Sequence, residues 1–387
     1  MQKKRSIKII SAVLILLLIC VPITYFKNNS KVVLATTSEF NTENLQDNEH
    51  MHVEVDSDGD KVPVPNGYVG SKATGENEID TGYVIYEGEE EVTDNNVVDA
   101  QKTRNQYVWI PVPDASTMYG TDENGKKWGK LYSFTTTTGN NIDPVTGAKP
   151  LNWSESNGIM KTSNREPDIV SYWNNSGRYT LLDEDSRLKA SNIDGKTTHD
   201  FLNQLEKDFN NMIDSVQRYH GFYIGRYETG NLSQSKAVIV KENSDIDGKL
   251  WYKSYKMCKT LSEDKVNVET SMIWGCQWDR TLIWLVESAN KTITDICNSK
   301  GWGNHYGSWE AGKVSGYSEN WKAANIYDLA GNMNEWTMEN CYSVGRVTRG
   351  GAYWSIGSTV SERTTDRPTG TNSYGVKAGC RAMLYIK

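Results

Sequence analysis

Asp328 and Glu335 bracket the stretch Asp328-Leu329-Ala330-Gly331-Asn332-Met333-Asn334-Glu335. Two carboxylates with main-chain carbonyls between them can wrap one calcium ion, because hard cations take oxygen ligands from both sources. The competing use of Glu335 is an ion pair with an arginine such as Arg349 or Arg381. Gly331, Gly350 and Gly351 permit backbone turns that residues with a Cβ resist. Beyond them, the stretch Trp354 to Lys377 carries Arg363, Asp366, Arg367, Asn372 and Tyr374. Charged groups at an edge and an aromatic face for stacking are the means of gripping a sugar or a peptide. The alternative is a solvated loop in which Arg367 satisfies backbone carbonyls. Trp336 and Trp354 are either core residues or stacking platforms. Glu228, inside Tyr227-Glu228-Thr229, is either a reactive carboxylate or the buried partner of Arg226 or Arg280.

Other chemistries lack their residues. No P-loop, dinucleotide fingerprint or G-x-S-x-G occurs. Asp56-Ser57-Asp58-Gly59-Asp60 begins like a calcium loop, but Gly67 stands where the twelfth-position acid belongs, so it reads as a turn. The five histidines, His50, His52, His199, His220 and His305, are scattered. Cys258, Cys276, Cys297, Cys341 and Cys380 show no CxxC or Cys/His zinc spacing. The sixth cysteine, Cys20, lies inside the N-terminal apolar run; the outer five are an odd number, so at least one thiol is free or pairs elsewhere, and connectivity is not readable. No catalytic residue is assigned.

The elements that must position these groups are legible in part. His199 to Tyr219 has helical periodicity, with Phe201, Leu202, Leu205, Phe209, Met212, Ile213 and Val216 on one face. Gly221 ends that helix, and Phe222 to Glu228 follows as a strand. Trp278 to Ser288 predicts a second short helix. Lys61–Pro65, Tyr83–Tyr86 and Tyr107–Pro113 read as extended segments, and the prolines of the last place it at an edge or a strand end. Residues 114–198 read as an irregular polar insertion. No internal repeat is visible.

The N-terminus sets the compartment. Lys3, Lys4, Arg5 and Lys8 precede an apolar run from Ile9 to Phe26. Such a run is a signal peptide, with Val33-Leu34-Ala35 as a cleavage site, or an uncleaved membrane anchor, and the basic flank sends the rest outward. Residues 1–35 carry six basic and no acidic side chains, so their removal takes the formal charge from −7 to −13. An acidic chain with mean hydropathy −0.62 is neither a nucleic-acid binder nor a polytopic membrane protein. With 13 Trp and 21 Tyr but 6 Phe, most aromatics carry a polar handle suited to wet interfaces. Residues 36–60 read as a linker, and 61–387 as one α+β domain.

The C-terminal third carries a resemblance. Asn325-Ile326-Tyr327-Asp328-Leu329-Ala330-Gly331-Asn332-Met333-Asn334-Glu335-Trp336, then Arg349-Gly350-Gly351-Ala352-Tyr353-Trp354, then Gly379-Cys380-Arg381 resemble, in order, the GN-x-x-EW turn, RGGS-W segment and final GFR strand of the formylglycine-generating enzyme (sulfatase-modifying factor) family. Gly221 to Thr229 and Trp278-Asp279 are similar to its upstream strand and helix. The resemblance covers roughly residues 96–387. It implies a C-type-lectin-like α+β fold with much irregular structure. It also implies structural calcium held by the Asp328 and Glu335 side chains and the Gly331 and Met333 carbonyls.

The family's oxidase uses copper held by two cysteines just past RGGS. Here Tyr353 to Asp366 contains none; Ser355 and Val360 or Ser361 stand in their places. A hydroxyl cannot replace a soft thiolate for Cu(I), so no copper is expected. No helical HxxxH spacing exists for the iron chemistry of other relatives. The expectation is an extracellular, bacterial cell-surface domain that binds a surface glycan or protein through Trp354, Arg363, Asp366 and Arg367. The alternative is an oxidoreductase of the same superfamily with an altered active site.

Overall fold

A computed structural model of the chain describes residues 44–121, 125–151, 198–246, 250–305, 312–341, 345–355, 359–366 and 378–387. The leader or anchor read over 1–35 lies outside the described residues, as do 152–197 of the insertion. Among the described residues no helix is long and apolar enough to cross a membrane.

The first elements are β1 (Met51–Val55) and β2 (Lys61–Pro65), an antiparallel hairpin. Its turn is the Asp56–Asp60 stretch. The Asp56 carboxylate accepts from the amides of Asp58 at 3.0 Å, Asp60 at 2.8 Å and Ile79 at 3.0 Å. An aspartate folding back onto its own following amides is ordinary turn chemistry. Met51, Val62 and Val64 enter the core. The linker expected over 36–60 therefore gives way to folded structure by Met51. Alternation in so polar a stretch shows as a strand only once β2 is opposite it.

The main sheet is built from β3 (Tyr68–Gly70), β4 (Val84–Glu87), β5 (Gln106–Pro111), β10 (Gly221–Gly225), β11 (Val268–Met272) and β18 (Ala382–Ile386). Its order is β11-β18-β10-β5-β4-β3, antiparallel throughout. Residues 106–111 are all buried, as an interior strand covered on both faces requires. β5 is thus central, and Pro111 marks its end rather than a sheet edge. β3 and β4 place residues upstream of 96 in the body of the fold. Between β4 and β5 runs α1 (Val97–Thr103). The insertion adds two small hairpins, β6 (Tyr119–Thr121) with β7 (Lys127–Gly129), and β8 (Tyr132–Phe134) with β9 (Ala148–Pro150).

The predicted helix is α2 (Thr198–Tyr219). Phe201, Leu205, Phe209, Met212, Ile213 and Val216 are all buried as it packs on β10 and β18. Burying such side chains contributes about 1.5–3 kcal/mol each before ordering entropy is subtracted. His220, at φ 60°, makes the left-handed turn that stops the helix, so β10 starts at Gly221. Next come α3 (Trp251–Lys259), α4 (Gly275–Glu287) and α5 (Ile293–Cys297). Gly275 to Leu285 of α4 are buried on every side, which removes the amphipathic signal. In α3, Trp251 stacks on Tyr255 with ring centroids 5.8 Å apart, and Phe201 of α2 meets both rings edge-on.

The C-terminal motifs occupy short strands: β12 (Lys322–Ala323) with β13 (Ile326–Tyr327), then β14 (Asn334–Cys341), β15 (Gly345–Arg349), β16 (Thr364–Asp366) and β17 (Ala378–Cys380). The last four form a sheet in the order β16-β15-β14-β17, in which only β14 and β17 run parallel. The compact unit spans Glu39–Lys387 and is mixed α and β, with few helices and predominantly antiparallel sheet.

Candidate functional site

The turn from β13 to β14 is built on unusual backbone. Asp328 (φ 55°), Gly331 (φ 76°) and Asn332 (φ 60°) are all left-handed within five residues. At Gly331 a Cβ would stand 2.4 Å from the Asn304 carbonyl oxygen, so glycine is required by space as well as by torsion. Its amide donates to Gly350 O at 2.8 Å, which joins the first two C-terminal motifs.

Three carboxylates converge beneath this turn. Glu335, at the start of β14, accepts from Arg381 Nε at 2.9 Å and Nη2 at 2.5 Å. The same guanidinium donates to the carbonyls of Gly225 and Tyr327, both at 2.9 Å. Glu228 accepts from Asn332 Nδ2 at 2.6 Å and from the Met333 amide at 3.1 Å. Asp328 Oδ2 accepts from Ser315 Oγ at 2.9 Å and the Gly316 amide at 2.7 Å. All four charged side chains are fully buried. Burial pushes Asp328 up to about 6 and Glu335 up to about 7, the latter against the pull of Arg381. Glu228 is raised well above the usual carboxylate range by burial and by the charges of Asp328 and Glu335.

These facts decide how Glu335 is used: it pairs with Arg381, one of the two arginines named from the sequence. Both of its oxygens are committed to that guanidinium. No cluster of three or more His, Cys, Asp or Glu side chains among the described residues could hold a metal ion. Calcium held by the set Asp328, Gly331, Met333 and Glu335 would have to compete with the Arg381 guanidinium for Glu335. The expected consequence is a melting temperature that is the same in excess calcium and in excess chelator. A chelator-sensitive melt would show that the carboxylates rearrange around an ion. Glu228 turns to Asn332 and the Met333 amide rather than to Arg226, which instead pairs with Glu76 at 2.7 Å. Arg280 pairs with Glu287 at 2.6 Å.

A second buried network lies under the segment after Trp354. Asp279 of α4 binds Arg349 at 2.8 Å and Arg363 at 2.5 Å. Glu339 of β14 binds the same two arginines at 3.5 and 2.6 Å. Arg363 also donates to Tyr132 O, and the Tyr132 amide donates to Asp279, both at 2.8 Å. Arg363 was expected to grip a ligand. Instead its guanidinium faces inward and ties the insertion hairpins to the second sheet. Asp366 ends β16, with its backbone opposite Arg346. Arg367 lies outside the described residues.

Trp354 is half-buried and meets Tyr353 edge-on at 4.6 Å between centroids. The Tyr353 amide donates to Asn332 O at 3.0 Å, and the Lys313 amide donates to Asn332 Oδ1 at 2.9 Å. Asn332 thus holds two segments at once. The second of them carries Tyr317, which is 57% exposed, with Lys313 Nζ 4.9 Å from its ring centre and Trp321 tilted at 5.7 Å. Tyr317 and Trp321 were not singled out from the sequence. Their signal was only the general excess of Tyr and Trp. Trp336, by contrast, is fully buried.

Near the segment's start, Ser299 Oγ accepts from the Val360 amide at 3.0 Å and lies 3.2 Å from His305 Nε2. Burial, aided by Lys300, drives His305 down to about 4. An unfolded histidine titrates near 6.5. The folded state then binds fewer protons between those values, so this contribution to stability is complete above 6.5 and is lost as pH falls toward 4. Acidification over that window should cost about 3 kcal/mol through His305. Urea unfolding at both pH values, compared with His305→Gln, isolates it; equal pH slopes in the two proteins would refute it.

No family model matches the chain, and no curated protein matches it. Among solved structures, Treponema denticola variable protein 1 is similar over 43% of this chain and 84% of its own, at 15% identity and a TM-score of 0.29. A structure described as the crystal structure of CarF is similar over 43% of this chain and 87% of its own, at 13% identity and a TM-score of 0.31.

Proposed function

We propose that the chain is an exported binding module of the formylglycine-generating-enzyme-like, C-type-lectin-like class that holds a surface glycan or protein on the aromatic groups beside the Asn332 turn. The observation that carries this reading is the half-buried Tyr353–Trp354 pair, fixed on a hydrogen-bonded turn together with the segment that presents Tyr317 and Lys313. Aromatic faces held in place before binding lose little freedom when a ligand stacks on them. The cysteine pair needed by the family's oxidase is absent from Tyr353–Asp366, which favours binding over oxidation. The basic and apolar N-terminus favours an outward-facing location. Ligand selection is a matter of stacking and edge hydrogen bonds, with no calcium bridge invoked.

The test is retention of purified protein on a panel of bacterial surface polysaccharides and surface-protein fragments. Trp354→Ala should weaken retention at least tenfold, equivalent to about 1.4 kcal/mol, with an unchanged melting temperature. Wild-type protein retained by none of the panel would count against the reading. A variant that loses its fold would assign Trp354 to the core.

A further inference from the structure

We propose that Cys258 and Cys380 are joined by a disulfide in the mature protein. Cys258 lies in the last turn of α3 and Cys380 ends β17. They are 122 residues apart, yet their sulfurs are 3.7 Å apart and both side chains are fully buried. Two thiols already in contact need only small side-chain rotations to reach bonding distance. Of the other cysteines, Cys276 and Cys297 belong to α4 and α5, and Cys341 ends β14. The pairing answers a question that the odd cysteine count left open. An exported chain meets disulfide-forming conditions, whereas a cytosolic one does not.

The bond has a structural consequence. In β17 Cys380 lies opposite Trp336 of β14. The Cys380 carbonyl also accepts from the Thr229 amide at 2.9 Å. A covalent tie from this point to α3 fastens the C-terminal base of the segment that begins at Trp354. The inference stands whether or not that segment binds a ligand.

The chemistry is thiol–disulfide exchange with a disulfide donor, either a small-molecule disulfide or the disulfide of an oxidoreductase. One protein thiolate attacks a donor sulfur, forms a mixed disulfide and releases the first donor thiol. The second protein thiolate then attacks its neighbour's sulfur and releases the other donor thiol. The protein pair is oxidised, the donor is reduced to two thiols, and both protons end on the donor. Because both sulfurs are buried, exchange takes place before α3 closes over β17, and the finished bond is shielded from reductant.

The test uses the full chain, either exported into an oxidising compartment or refolded with oxidised glutathione. The protein is denatured, alkylated without reduction, digested and analysed by mass spectrometry. The expected result is a cross-linked peptide pair containing Cys258 and Cys380, two hydrogens lighter than the separate peptides. Reductant present during the melt reaches the bond as the chain opens, and should lower the apparent melting temperature of the wild type while leaving that of a Cys258→Ala, Cys380→Ala double variant unchanged. Alkyl groups on both cysteines without prior reduction, or either one linked to a different cysteine, would overturn the proposal. The peptide analysis needs only wild-type protein, so a poorly folding variant does not affect it.

Discussion

Arg381→Met is expected to cost about 3–5 kcal/mol of folding stability, because it leaves a buried carboxylate without its cation. A domain of this kind has about 5–15 kcal/mol in all, so most of the margin would go. Arg381 neutralises Glu335 and also serves the carbonyls of Gly225 and Tyr327. One side chain therefore links β10, β13 and β14, and none of its donors can find water at full burial. Arg381→Lys keeps the charge but cannot span the same acceptors, and should fall between wild type and Met. The pH response supplies a second readout. Without the guanidinium, Glu335 keeps its proton to a higher pH than the about 7 of wild type, so the stability gap between Arg381→Met and wild type should narrow as pH falls toward 7 and stay level below it. Denaturant unfolding across pH measures both effects. A variant as stable as wild type at neutral pH would mean that Arg381 is dispensable, and that the turn is held by its backbone bonds alone.

Asp279→Asn is the second large effect. It removes one of two carboxylates that face Arg349 and Arg363, and leaves two buried guanidinium groups on Glu339 alone. The expected loss is again about 3–5 kcal/mol. It should be accompanied by loosening of the β8–β9 hairpin, since the one remaining side-chain oxygen cannot serve the Tyr132 amide and both guanidinium groups as the carboxylate does. Replacing one of the exposed partners Lys126 and Glu206 should change stability by less than about 1 kcal/mol. A double-mutant cycle on Asp279 and Arg363 separates the pair from its surroundings. A coupling no larger than that of the exposed pair would refute the network's role. Replacing all four charged residues with apolar ones of similar volume should recover much of the loss, because the cost lies in the uncompensated charge.

Local signals in the sequence were legible to different depths. The apolar stripe from Phe201 to Val216 identified α2 nearly to the residue, since the period is a property of the helix itself. Lys61–Pro65 and the Asp56–Asp60 turn were also readable, because short strands and Asx turns depend on neighbours in the chain. By contrast, α3 was missed and α4 was seen late. In α3 only Lys253, Lys256 and Lys259 mark a polar face, over too few turns to establish a period, and α4 is buried from Gly275 to Leu285. The tether was drawn too long for a related reason: β1 is a strand only through its pairing with Lys61–Pro65.

Among the chemistry-bearing residues, the sequence by itself determined the turn around Gly331, the joint importance of Asp328, Glu335, Gly350 and Arg381, and the absence of a cysteine pair after Trp354. It could offer Arg349 and Arg381 as partners for Glu335, but not choose between them. Only the tertiary structure made that choice, and it also turned Arg363 inward, set Glu228 against Asn332 and brought Cys258 beside Cys380. The reason is range. Turn chemistry and helical period act over a few residues, whereas Glu335 and Arg381 are separated by 46 residues and Arg363 and Asp279 by 84. Which buried charges meet is fixed by the register of β14 against β15 and β17, and a buried charge must be satisfied by whatever partner that register supplies.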